Sequence, residues 1–383
     1  MADVTGAHTT TNVLSDQLAI DLSDRISWLE PDAQVLTVFS RAMGKESATA
    51  TKFSWLEDRP KARFDTTDGT STTTIQTITV DHGAYFQQWD LVQNTRTGEI
   101  FRVDSVAGQV LTVTRGIGGT IGTGVAMNDA DELYIIGSAQ PENDTSKVAR
   151  ANIPTKTTNY TQIHRTPFEI SGSLQASSFQ VAPNEWDRLA KNALIEHNKD
   201  IEISHLYGKR SLTTPGSTEA RTTGGVLSFI TTNQTDAGGD LSETEFNAFM
   251  ASKARYASRQ NLAMGGATAV AALNKFPASK QQTVNSEKTY GMNVTQFTSP
   301  FGSLNLVYHR LMEGSKHGGE LVVVDMDEVR YKPLEGGGVS RDTKVLANRQ
   351  PRDQDGTKSE ALTECGLKFG LAERHGILTG ITS

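Results

Sequence analysis

The chain has 383 residues, enough for more than one hydrophobic core, and 36% of them are hydrophobic and 21% charged, the balance of a globular protein. Its 37 basic and 44 acidic residues leave a formal charge of −7, the wrong sign for a protein whose main task is to grip phosphates. The one cysteine, Cys365, excludes an internal disulfide and a thiolate zinc cluster, no apolar run approaches the ~18–20 residues that span a bilayer, and MADVTGAHTTTN lacks a basic segment followed by an apolar one, so neither export nor membrane insertion is expected.

Residues 1–48 carry short helical signals with too little apolar surface to fold alone. Leu18, Ile20, Leu22, Ile26, Trp28 and Leu29 alternate with acids and serines, Ser23 or Asp24 fits a helix cap, and Pro31 ends the run. This reads as an arm that packs on other parts of the chain or on other copies. In 52–64, KFSWLEDRPKARF, large aromatics meet dense charge, and Pro60 stops any helix. Two readings stand side by side. One is an ordinary amphipathic connection. The other is a loop reaching across a neighbouring subunit, with Phe53 and Trp55 as anchors and Glu57, Asp58, Arg59, Lys61 and Arg63 as the charged rim of an interface.

Over 68–137 short apolar runs at 75–80, 89–92, 100–106, 110–114 and 133–136 are punctuated by glycine turns, the pattern of a small β-barrel or sandwich. A unit of about seventy residues is near the lower limit for an independent core, so it is expected to lean on its surroundings. The threonine-rich stretch 143–160 reads as a linker or extended strand pair. QIHRTPFEISGSL, 162–174, leads into the one long helix, predicted over 183–207. Pro183 suits a first helical position, and Glu185 and Asp187 favour its positive end. Trp186, Leu189, Ala190, Ala193, Leu194 and Ile201 recur at helical spacing, Ile195, Ile203 and Leu206 widen the apolar surface, and Gly208 fits a left-handed stop.

Residue 224 begins a mixed region. Ser242 and Glu245 form a capping box before Phe246, Phe249, Met250 and Ala254, which line one helical face. A strand over 261–265, a helix over 267–275 ended by Pro277, strands over 290–297 and 304–311 around a turn at 299–302, and a buried strand over 320–324 follow. Closing strands are expected over 361–372 and 376–381.

The search for chemistry finds nothing specific. GIGGTIG, 116–122, opens no helix and lacks the lysine-threonine end of a phosphate loop, so a glycine-rich β-connection is expected. No pair among the eight histidines has metalloprotease spacing. Asp325, Asp327 and Glu328 follow a buried strand with no partner base in view, and Cys365 sits in a strand-like segment as a small buried hydrophobe. No catalytic residue, cofactor or metal is expected.

DLSDRISWLEPDAQVLTVFS (21–40), KFSWLEDR (52–59), RTPFEISGSLQAS with the long helix (165–207) and KFGLAERHGILTGI (368–381) together resemble the major capsid proteins of tailed bacteriophages with the Hong Kong 97-type fold. The resemblance covers nearly the whole chain and rests on the order and character of segments. It implies an α+β fold with an N-terminal arm over 1–48 and an extended loop over 49–165 that contains the all-β insertion 68–137. A peripheral domain over 166–223 with its spine helix, an axial domain over 224–335 and a return to the peripheral domain over 336–383 complete it. The implied function is self-assembly, as pentamers and hexamers, into the icosahedral shell around a double-stranded DNA genome, built in the bacterial host cytoplasm. Scaffolding, portal and decoration proteins are the further partners implied, and contact with packaged DNA is weak and nonspecific. Expected assembly contacts are Phe53, Trp55, Glu57, Asp58, Arg59, Lys61, Arg63, Trp186, Arg188, Arg349 and Arg352. Some members of the fold join subunits by a lysine to asparagine bond, for which Lys52 or Lys61 with Asn348 could be proposed; noncovalent contacts are favoured. The alternatives are another virion protein, such as a tail tube, fibre or decoration protein, and more distantly a carboxylate hydrolase using Asp325 and Asp327.

Overall fold

Asn184 accepts a hydrogen bond from the backbone N–H of Asp187, and from that cap the chain runs as one helix, Glu185–Tyr207. A computed structural model describes residues 36, 44–142, 151–177, 184–258, 260–276, 281–282, 295–299 and 301–382. Most of the arm expected over 1–48, the residues 143–150, Pro183, Pro277 and 290–294 lie outside the described residues. The helix therefore starts from Asn184, with Glu185 and Asp187 in its first turn. Gly208 ends it at φ −55°, not in the left-handed conformation expected of it. Its lack of a side chain serves close packing instead, since a Cβ there would stand 2.3 Å from the Ser204 carbonyl and 2.5 Å from that of Thr223.

Two compact units make up the chain, Met1–Trp55 with Lys156–Ser383, and Leu56–Thr155. In the first, the long helix lies along the antiparallel pair Gln162–Ser171 and Gly356–Phe369. Gly356–Phe369 also pairs with Val329–Pro333 and Lys344–Leu346. Ile201, Tyr331 and Cys365 are buried together beneath the helix, and Leu206 is buried while Ile203 stays exposed.

The same unit holds a seven-stranded sheet in the order Gln234–Gly239, Gly376–Ile381, Leu321–Val324, Gln260–Gly265, Gly302–Tyr308, Thr295–Ser299, Gln281–Gln282. Its inner strand Leu321–Val324 is apolar and buried at every position because both faces are covered. Leu262, Met264, Val322 and Val324 join Leu206 and Leu36 on one face. On the other, Ala263, Leu321 and Val323 meet Phe246, Phe249 and Met250 of the helix Glu243–Ala254, and Ala269 and Leu273 of the helix Ala267–Asn274. The expected capping box is present: the Ser242 hydroxyl accepts from the Glu245 N–H, and the Glu245 carboxylate accepts from the Ser242 N–H at 3.0 Å, an arrangement worth about 1 kcal/mol. The hairpin around 299–302 forms with Ser299 opposite Gly302.

The second unit is a six-stranded sheet ordered Phe64–Thr66, Glu132–Ser138, Asp90–Asn94, Ile100–Ala107, Val110–Thr114, Thr77–Thr79. It closes on itself: Thr67 bridges Val80, and the Asp81 N–H donates to the Thr66 carbonyl. Phe101, Val103, Leu111, Val113, Val92, Leu133 and Ile78 fill the interior. The glycine-rich loop after Val110–Thr114 turns around Arg115, not a phosphate. The guanidinium is fully buried, donating to both Glu99 oxygens (Nε–Oε1 2.9 Å, Nη2–Oε2 2.6 Å) and to the carbonyls of Thr72 and Val125. Gly116 turns at φ +73°, where a Cβ would stand 2.2 Å from the Thr120 carbonyl.

Candidate assembly surfaces

The strand Lys52–Glu57 pairs with Thr155–Tyr160 as a two-stranded ribbon. Its sequence KFSWLE alternates, so Phe53, Trp55 and Glu57 turn inward while Lys52, Ser54 and Leu56 turn out. Phe53 stacks on Trp55 at 6.1 Å, and Trp55 meets the edge of Phe229 at 5.9 Å, with Ala48 and Leu334 completing the cluster. The Lys332 ammonium sits 5.3 Å over the Phe53 ring and pairs with Glu46 at 2.8 Å. These two aromatics thus anchor the chain to itself. Asp58, Arg59, Lys61 and Arg63 are exposed, and Glu57 is buried with Arg59 at 3.2 Å from it.

Trp186 is half-buried against Phe168, ring centroids 5.0 Å apart, and Arg188 pairs with Glu185 one turn back on the long helix. Arg349 is exposed, 3.9 Å from Glu360, and Arg352 is exposed in the turn before Gly356–Phe369. Asn348 lies beside Arg349 on the surface at φ 55°. The structure brings Glu57 to Arg59 and Phe53 to Trp55, and sets Trp186 with Arg188 and Arg349 with Arg352 on separate elements.

Sequence reasoning missed the carboxylate of Glu202. It is fully buried on the long helix, accepting from the backbone N–H of Leu36 at 2.5 Å and lying 2.7 Å from His309 Nε2. Through this group a residue of the expected arm is fixed to the helix. No local signal marks it, since His309 is 107 positions away. The sequence reading also assigned no role to an exposed apolar row on the barrel, although YII within ELYIIGS places apolar residues on both parities of one strand.

The acidic cluster after Leu321–Val324 is a packing node. Burial pushes the Asp325 carboxyl up, but the N–H groups of Ser258 and Asp327 and the Arg374 guanidinium at 2.7 Å outweigh it and hold the group below its ordinary value. Arg374 also pairs with Glu328 at 2.6 Å. Asp325 is thus held by backbone and by Arg374, while Asp327 is exposed. Cys365 is fully buried, its Sγ 3.8 Å from His205 Nε2. Among the described residues no group of three or more His, Cys, Asp or Glu could hold a metal ion, and no helix is long and apolar enough to cross a membrane.

A family model described as "SU10 major capsid protein" matches residues 3–382. The major capsid protein of Pseudomonas phage PaMx41 is 25% identical over 153 residues, a match spanning 40% of this chain and 36% of that protein's length. Among solved structures, the capsid of a native GTA particle superposes with a TM-score of 0.52 at 9% identity, covering 97% of this chain and 98% of the other. A Mycobacterium phage Bobi structure gives 0.50 at 8% identity over 96% and 97%. At such identities the likeness is one of fold, and the fold is that of the Hong Kong 97-type capsids.

Proposed function

From the premise that this chain belongs to the SU10 major capsid protein family, we propose that it builds the icosahedral shell of a tailed phage as pentamers and hexamers enclosing double-stranded DNA. The role of major capsid protein follows from the family, and the match over 3–382 is the observation that carries it. Residues 1–48 act as the arm, and Leu36 held by Glu202 gives that arm a fixed point. The ribbon Lys52–Glu57 with Thr155–Tyr160 is the stem of the extended loop that carries the barrel. The region 166–223 with the long helix forms the peripheral domain, 224–335 the axial domain, and 336–383 returns to the peripheral sheet.

Asp58, Arg59, Lys61, Arg63, Arg188, Arg349 and Arg352 are the charged groups that set register between copies, a role suited to rim residues that steer association. Phe53 and Trp55 support the stem from within. Scaffolding, portal and decoration proteins are further partners, assembly takes place in the host cytoplasm, and the −7 formal charge fits a container whose cargo must move during filling. The chain acts by binding its own kind and performs no catalysis.

Light scattering on the purified chain tests this reading. Particles in the megadalton range, against 41.5 kDa for one chain, are expected under assembly conditions. A chain that stays monomeric across salt, pH and co-expression with the other virion proteins contradicts it.

A further inference from the structure

We propose that Asn159 is a positioning residue that fixes the stem of the extended loop to the end of the long helix, and that particle formation depends on it beyond its share in stability; the inference rests on the shell reading above. Asn159 lies on the strand Thr155–Tyr160, whose sequence TKTTNY offers no apolar reason for burial, yet the residue is 0% exposed. Its Oδ1 accepts from the backbone N–H of Tyr160 at 2.9 Å and of Gly224 at 2.7 Å. Its Nδ2 donates to the Leu367 carbonyl at 2.8 Å and to the Gly224 carbonyl and the Thr223 hydroxyl, both at 3.1 Å. Two hydrogens serve three acceptors, so every polar site of the amide is used. The two N–H groups at Oδ1 dictate which way the amide points, since a reversed amide would turn its own hydrogens toward them.

Segments far apart in sequence meet on this one side chain. Thr223 and Gly224 form the turn between the strand Ala220–Thr222 and the short helix Val226–Phe229. That turn is seated on the end of the long helix: the Gly225 N–H donates to the Gly208 carbonyl at 2.8 Å, and a Cβ on Gly225 would stand 2.6 Å from the His205 carbonyl. Leu367 belongs to Gly356–Phe369, the strand packed beneath the helix. Next to Asn159, the Thr158 hydroxyl accepts from Arg210, just beyond the helix, at 2.9 Å.

The stem has little else to give it a direction. A two-stranded ribbon is marginal by itself in water, and Thr155 and Lys156 are exposed. The cluster of Phe53 and Trp55 grips the stem by apolar contact, which is non-directional. Hydrogen bonds weaken steeply with distance and angle, so those at Asn159 set the pose. A stem held in one pose before association avoids the entropy of ordering it at each contact.

Two measurements on the full chain separate this role from bulk stability. In Asn159→Ala, hydrogen exchange in the unassembled chain is expected to quicken about tenfold or more at the amides of residues 52–57 and 155–160, with Leu321–Val324 unchanged. Particle yield, followed by light scattering, is expected to fall by at least about tenfold. Phe249→Leu weakens a core away from the stem and serves as the reference, both variants being compared at the same interval below their own melting temperatures. Its yield is expected to stay within about twofold of the unsubstituted chain. Should Asn159→Ala fail to fold, Asn159→Ser takes its place with the same readouts. If neither folds, the residue serves folding as a whole and the inference is overturned. Exchange that quickens evenly along the chain, or a yield equal to that of Phe249→Leu, also overturns it while leaving the shell reading intact. If the unsubstituted chain forms no particles, the shell reading falls and the assembly role with it, while the exchange pattern still decides whether Asn159 holds the stem.

Discussion

Replacing Arg115 by alanine is expected to melt the barrel while the rest of the chain stays folded. The guanidinium is fully buried and is the common partner of Glu99, Thr72, Ile75 and Val125, so it ties the glycine-rich loop to three other segments of the unit. Removing it leaves the Glu99 carboxylate, itself 8% exposed, as an unpaired charge in the interior. Breaking a buried pair in this way costs about 3–5 kcal/mol. For a unit of about 100 residues that corresponds to a fall in melting temperature on the order of 15–30 °C. Calorimetry of the full chain should show one transition moving down by that amount and the other staying in place. The double variant Arg115→Met with Glu99→Leu should recover most of the loss, because apolar groups of similar volume replace such pairs at little cost. A shift of a degree or two in the single variant would show that the loop is held by its glycine turns alone.

The second large effect is acid lability between about pH 6.5 and about pH 4. Burial, with a smaller contribution from His197, lowers His164 from its ordinary 6.5 to about 4. Burial does the same to His375, helped by Lys253 and Arg374 and opposed by the Gly370 carbonyl and Asp325; its value is also about 4. The geometry at His375 fixes the neutral form. Its Nδ1 accepts the Asp325 N–H at 3.1 Å and its Nε2–H donates to the Gly370 carbonyl at 2.9 Å, so a second proton has no acceptor. An unfolded chain takes up a proton at each ring near 6.5 and the folded chain only near 4. Protons therefore favour unfolding throughout that interval: stability is full above pH 6.5 and lost as pH falls toward 4. Each ring contributes at most about 3 kcal/mol to the loss. Urea midpoints measured at pH 7, 5.5 and 4 should fall steadily, and His375→Asn should flatten part of the slope. A midpoint that does not move between pH 7 and 4 would contradict the neutral, buried assignment of both rings.

What could be read in advance follows from the range of the signal. The long helix was legible because Glu185, Asp187, Trp186, Leu189 and Leu194 lie within a few turns of one another, and the barrel because alternation and glycine turns recur every few residues. The capping box at Ser242 is likewise local. Arg115 was not legible as a buried cation, since it ends an ordinary VLTVTR run and its carboxylate lies 16 residues upstream. Phe53 and Trp55 are at the positions an interface anchor would occupy, yet Phe229, more than 170 residues later, covers Trp55 within the same chain. Glu202 with Leu36 and His309 is a third long-range set. The three-residue strand Phe64–Thr66 was too short to carry a period, so the barrel begins earlier than the run of apolar segments indicated. Assembly contacts are the hardest to read. A residue facing a neighbour obeys the same local rules as one facing its own core.

The most direct measurement is a three-dimensional reconstruction of particles formed by the chain. The account predicts closed shells of pentamers and hexamers, each copy resolved with one long helix over Glu185–Tyr207 and a six-stranded barrel over Leu56–Thr155. Tubes, rods or open rings built from the same folded chain would contradict it.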